Sequence, residues 1–146
     1  MYFLISAVSS FFAAGAFALL FHAPRRTVLC SCGIGMAGYF LYVVIGELGA
    51  GAVSSYFFGA LLMSALSEIA ARRYKMPATV FLSSSLVTLV PGYDLFQLML
   101  SLVQNDGSLA ASHGVAALQG VMAIAAATAA CSVVFRAMKP RKSAAS

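Results

Sequence analysis

Within residues 83–97 the chain sets Ser83, Ser84, Ser85, Thr88, Pro91, Gly92, Tyr93, Asp94 and Gln97 among leucine, valine and phenylalanine. Pro91 removes one helical hydrogen bond and its ring clashes with the preceding turn, while Gly92 permits backbone angles that other residues resist. Asp94 followed by Gln97 has the spacing of a capping box for a new half-helix. The pattern predicts a helix entered at Met76-Pro77, broken at Pro91-Gly92 and then resumed. In lipid, the freed backbone groups must be buried against protein or line a wet cavity, and a half-helix N-terminus is an anion site. The chemistry is then solute binding, with Ser84, Ser85, Thr88, Tyr93 and Gln97 as contacts for a carboxylate or its route. The competing reading is a packing kink whose serines bond to their own backbone. An ionised Asp94 is out of place at an anion site, so it is expected to be protonated or to face a cation.

Few other side chains carry chemical potential. Glu68 precedes Arg72 by one helical turn, which suits either a surface i,i+4 pair or a coupling carboxylate near the inner mouth of a path. Glu47, at the outer end of its apolar run, is an interface residue or a gate. His113 titrates near neutral pH in water, but beside Ser112 and Gly114 it reads as a wet residue at a helix start. Gln104 and Gln119 complete the polar candidates. Gly33-Ile34-Gly35-Met36-Ala37-Gly38 matches the dinucleotide Gly-x-Gly-x-x-Gly string, yet no strand precedes it. It reads instead as a close-packing stripe with Gly46, Gly49 and Gly51. Cys30-x-Cys32 lacks a second ligand pair, so no metal or cofactor is expected. No nucleophile, base and orienting group combine into an enzyme constellation.

The elements that must position these residues follow from composition. The 146 residues are 62% hydrophobic and 9% charged, with a mean hydropathy of +0.94, which leaves a soluble fold without a surface. The net charge is +5, and all nine Arg and Lys residues fall in Arg25-Arg26, Arg72-Arg73-Tyr74-Lys75 and residues 136–142. These clusters are loop markers rather than a nucleic-acid face. A bilayer core of about 30 Å needs roughly 20 helical residues. That measure predicts an all-α polytopic integral membrane protein, a single transmembrane domain over 1–146. Its five helices lie near 2–21, 28–46, 51–71, 78–104 and 111–136, the fourth interrupted, with a short basic tail over 137–146. The first run lacks a basic region before it and is stopped by Arg25-Arg26, so it is expected to remain as a helix. Basic ends in the cytoplasm place the N-terminus and the loops around Glu47 and Asp106 outside. An odd span count does not divide into two equal repeats, so an alternating-access transporter would need a second copy or another chain.

Met76-Pro77-Ala78-Thr79-Val80-Phe81, followed by Leu89-Val90-Pro91-Gly92 and Met99, resembles the membrane domain of the threonine/serine exporter family, specifically its small-subunit, YjjB-like branch. The likeness covers nearly the whole chain. It implies a bacterial inner-membrane exporter of threonine and serine; the split two-gene form resembles a succinate exporter that requires a larger YjjP-like partner subunit. Homo-oligomerisation is a further option. Pro77, Pro91 and Gly92 match the family motif, and Glu68 and Arg72 fall in the polar segment ending its third span. Asp94 departs from the small or polar residue expected there. A dicarboxylate fits the half-helix dipole and an amino acid's ammonium fits Asp94, so both substrate classes stay open. The alternatives are a scaffold for the larger subunit and, with only scattered Ser, Thr and Gln along the spans, a channel.

Overall fold

The computed structural model describes residues 2–138. Six α-helices carry that stretch: α1 (Tyr2–Leu20), α2 (Arg25–Glu47), α3 (Ala52–Tyr74), α4 (Ala78–Leu86), α5 (Gly92–Val103) and α6 (Gly107–Ala137). A 3₁₀ turn, Val87–Leu89, follows α4 directly. Of the basic tail expected over 137–146, residues 139–146, with Lys139, Arg141 and Lys142, lie outside the described residues.

Four helices end in the same way. Ala23, Ala50, Met76 and Asp106 donate their N–H to the carbonyls of Ala18, Ile45, Ala71 and Ser101. Before each donor stands a left-handed residue: His22, Gly49, Lys75 and Asn105. This closure satisfies carbonyls that the helix leaves bare. Pro24 and Pro77, one residue beyond two of the donors, prevent the helix from continuing. Gly49 and Gly51, at φ 76° and 83° with nothing near a notional Cβ, are turn residues rather than part of the expected packing stripe.

At the other end of the last loop, the Asp106 carboxylate accepts from the N–H of Leu109 and the hydroxyl of Ser108. The Leu109 amide first, and Ser108 second, hold this exposed carboxyl below its ordinary range. A depressed carboxylate stabilises the fold above the unfolded-state value, and that contribution is lost as pH falls through the folded one.

Glycine and alanine set the packing. A Cβ on Gly35 would fall 2.6 Å from Ala14 Cβ of α1, and one on Gly38 would overlap Met63 of α3. Gly33 has open space, so the stripe divides between two neighbours instead of forming one face. Gly38 on Met63 and Gly46 near Ser55 make α2 and α3 antiparallel; Tyr56 on Gly120 and Arg72 on Phe135 make α3 and α6 parallel. That register gathers Arg25, Arg26, Arg72, Arg73, Lys75 and Arg136 at one end. Glu47 and Asp106 stand at the other.

Among the described residues, helices α1, α2, α3 and α6 pack side by side in that order, α4 lies against α1, α2 and α3, and α5 packs on α6 alone. Three helices, α2, α3 and α6, are long and apolar enough to cross a membrane. The bent pair α4–α5 makes a fourth when counted as one span. Against the five spans expected, α1 is the difference: Tyr2–Leu20 is a helix of 19 residues, close to the roughly 20 that a crossing needs, and its segment Ala7–Leu20 counts as a shorter apolar helix.

Gly59 is a direct test of this packing, because a Cβ there would sit 3.2 Å from the Gly38 carbonyl oxygen and 3.2 Å from Tyr42 Cβ. Neither neighbour can swing aside. Gly59→Ala is expected to destabilise the fold by about 1–3 kcal/mol, read as a lower melting temperature in detergent, whereas Gly33→Ala should not. Equal melting of the two variants would contradict the register.

Candidate functional site

The break is built by Pro91. Val90 is extended, Pro91 takes φ −72° and ψ 63°, and the Gly92 N–H donates to the Val90 carbonyl at 2.7 Å. This is an inverse γ-turn centred on proline. The Thr88 carbonyl loses its helical donors, since Pro91 has no N–H and that of Gly92 is taken. Leu89 likewise receives no backbone N–H among the described residues. The chain then leaves at 51° as α5. Gly92 adopts no left-handed conformation, and a Cβ there would meet nothing within 4 Å. The expectation that its conformational freedom makes the break is therefore corrected: the proline turn makes it.

The expected capping box does not form either. Pro91 occupies the N-cap of α5 and no side chain caps that end. Because the γ-turn starts the helix at Gly92, Asp94 sits within the first turn, where its carboxylate reaches across to α6. There Asp94 Oδ1 lies 3.1 Å from His113 Nδ1. Both side chains are mostly buried, at 23% and 26% exposed. Gln97 donates to the Tyr93 hydroxyl at 3.1 Å instead of bonding to the backbone. Capping by Asp106 starts α6 at Gly107, so His113 falls in the second turn and is no cap residue. The edge of its ring meets that of Tyr93.

A cavity of about 280 Å³ opens at the break, walled by Tyr39 and Tyr42 of α2, Tyr56 of α3, and the chain from Thr88 to Tyr93. The Tyr42 and Tyr56 rings touch, with centroids 4.8 Å apart. A second cavity of about 310 Å³, lined by Ser9, Ser10 and Ala13 of α1, shares Tyr39 and Thr88 with the first. Tyr39 and Thr88 thus stand between two small cavities, beside the residues whose carbonyls lack donors. Gly35 and Gly59 seat the 3₁₀ turn against this wall, for their notional Cβ atoms lie 3.8 Å from Thr88 and 3.5 Å from Leu89.

The serines stand apart from it. Ser84 and Ser85 are fully buried and donate to carbonyls of their own helix, chiefly that of Phe81. Thr88 donates to the Ser85 carbonyl at 2.7 Å but also lines both cavities. Ser83 is exposed. Of the residues singled out from the sequence, the break brings together Thr88, Pro91, Gly92, Tyr93, Asp94 and Gln97. Sequence reasoning missed Tyr39, Tyr42 and Tyr56 as its wall and His113 as the partner of Asp94. The i,i+3 spacing of Tyr39 and Tyr42 on an apolar helix was the available signal.

The expected Glu68–Arg72 pair is absent: the only ion pair among the described residues joins His113 and Asp94. Arg72 instead donates to the Phe135 carbonyl at 3.2 Å and stacks over the Phe135 ring. Glu68, Arg72 and Arg136 line a separate cavity of about 400 Å³ at the basic end. Glu47 is the exposed last residue of α2 at the opposite end and lines neither cavity. Among the described residues, no three His, Cys, Asp or Glu side chains group as a metal site.

No curated protein and no solved structure matches the chain. A family model described as Threonine/Serine exporter, ThrE matches residues 6–134, which spans α1 to the last turn of α6 and encloses the break, its tyrosines and the Asp94–His113 pair. An all-helical chain with several membrane-length apolar helices is the form such a transporter requires. The chain belongs to the threonine/serine exporter family, a family of membrane transporters rather than enzymes.

Proposed function

We propose that this chain is the small, YjjB-like membrane subunit of a secondary exporter, and that it moves threonine- and serine-like amino acids past the break with a larger YjjP-like partner. The observation that carries the reading is the cavity at Pro91, lined by three tyrosines and by Thr88 and Leu89, whose carbonyls receive no backbone N–H among the described residues. Backbone polarity at that depth is tolerated only against protein, water or a solute.

The lining favours an amino acid over a succinate-like dicarboxylate. Asp94 already occupies the first turn of α5, so the positive end of that helix is compensated from within. Tyrosine faces and carbonyl oxygens attract an ammonium group, and a second carboxylate would find no cation beside them. Five spans, with α1 first and α4–α5 fourth, put the N-terminus in the periplasm and the basic ends in the cytoplasm of a bacterial inner membrane. Glu47 then lies at the outer surface.

A scaffold role keeps one observation on its side. Helix α5 packs on α6 alone, and Phe96, Met99 and Val103 are exposed on it. That face fits a neighbouring subunit as well as lipid.

Proteoliposomes with both subunits are expected to export L-threonine saturably, and either subunit alone should not. Full activity from the partner alone would favour the scaffold; rapid, non-saturable flux through this chain alone would favour a channel. Asp94→Asn and His113→Gln should each slow export by about tenfold, and the double variant no further, because the two side chains act as one unit. Export by Asp94→Asn that equals wild type at every pH would remove the pair from transport.

A further inference from the structure

Away from the break, the cavity at the basic end holds fixed charges of both signs that do not neutralise each other. Glu68 and Arg72 of α3, Pro77 and Ala78 at the start of α4, and Phe135 and Arg136 of α6 line its space of about 400 Å³. That volume lies in the range of small-molecule sites. Glu68 and Arg72 have the spacing at which helical side chains ordinarily pair. They do not, because the Arg72 guanidinium is held by the Phe135 carbonyl and ring. Neither Glu68 nor Arg136 has an ion-pair partner among the described residues. The start of α4 adds polarity of one sign: Pro77 is its N-cap, no side chain caps it and no acid stands in its first turn. The Val80 N–H donates to the Pro77 carbonyl, which leaves the amides of Ala78 and Thr79 without helical acceptors.

We propose that this cavity is the loading site of the exporter and selects zwitterions, with Glu68 receiving the ammonium and Arg136, Arg72 and the first turn of α4 receiving the carboxylate. The inference rests on the exporter reading and deepens it by naming the substrate class at the inner mouth. A dicarboxylate would bring like charge against Glu68. Arg72 and Arg136 are exposed, so solvent screens them and affinity is weak, on the order of 1 mM. Weak binding suits a site that samples a cytoplasmic pool and passes solute onward. The same ammonium-plus-anion chemistry belongs to a phosphatidylethanolamine headgroup, which the experiment must separate from a free amino acid.

The test is binding of L-threonine, N-acetyl-L-threonine and succinate to the full chain in phosphatidylglycerol nanodiscs, with and without added phosphatidylethanolamine. L-threonine should bind, and both other solutes should bind at least about tenfold more weakly. Glu68→Gln should weaken L-threonine about tenfold and strengthen succinate; Glu68→Asp should retain most L-threonine affinity. Arg136→Gln, independent of the α3 carboxylate, should weaken both carboxylate ligands. Unchanged L-threonine binding in Glu68→Gln and Arg136→Gln overturns the inference, and so does its abolition by phosphatidylethanolamine. Saturable threonine export that both variants share unaltered with wild type overturns the loading site while the exporter reading stands. Absence of threonine export from the wild-type pair defeats the exporter reading itself.

Discussion

A peptide carbonyl held in hydrocarbon without a donor costs several kcal/mol, and Pro91 leaves the carbonyls of Thr88 and Leu89 without a backbone donor among the described residues. The rest of the fold is arranged around this polarity. Gly35 and Gly59 let the 3₁₀ turn approach α2 and α3 closely, and three tyrosines from those helices close over it. Serines just before the turn add no further unmet donors, since Ser84, Ser85 and Thr88 return their hydroxyl protons to carbonyls of the preceding turn. Besides the carbonyls of the break, the buried hydroxyls of Ser31 on α2 and of Ser64 and Ser67 on α3 are left without a partner.

The bend also separates two sets of contacts. Helix α4 is held by α1, α2 and α3, whereas α5 is held by α6 alone. The Asp94–His113 contact is a polar tie between α5 and α6, just beyond the break. Charges at the basic end lie on the far side of α4. Between the two, Ser84 and Ser85 of α4 bond to carbonyls of their own helix.

How much of this was legible depends on whether the cause lay within one helix. The interruption was, because proline forbids a helical hydrogen bond wherever it stands. Its construction was not: the γ-turn moved the start of α5 ahead of Asp94, which undid the capping box and freed the carboxylate for His113. The closures at His22, Lys75 and Asn105 carry no glycine signal, and so gave no warning that α2 begins as early as Arg25. The Glu68–Arg72 pairing failed for a tertiary reason, the Phe135 carbonyl and ring brought alongside by α6. The tyrosine wall is likewise a product of the α2–α3 register, which small residues set and which spacing along a single helix does not reveal.

Solvent and solute access at the break tests the account most directly. Gly92 faces open space, so Gly92→Cys, in a chain whose Cys30, Cys32 and Cys131 are replaced by alanine, places a thiol in the cavity without crowding it. The account predicts modification by a small, membrane-impermeant thiol reagent and protection by L-threonine but not by succinate. A thiol that stays unreactive in the assembled protein, or reacts at a rate indifferent to threonine, would contradict it.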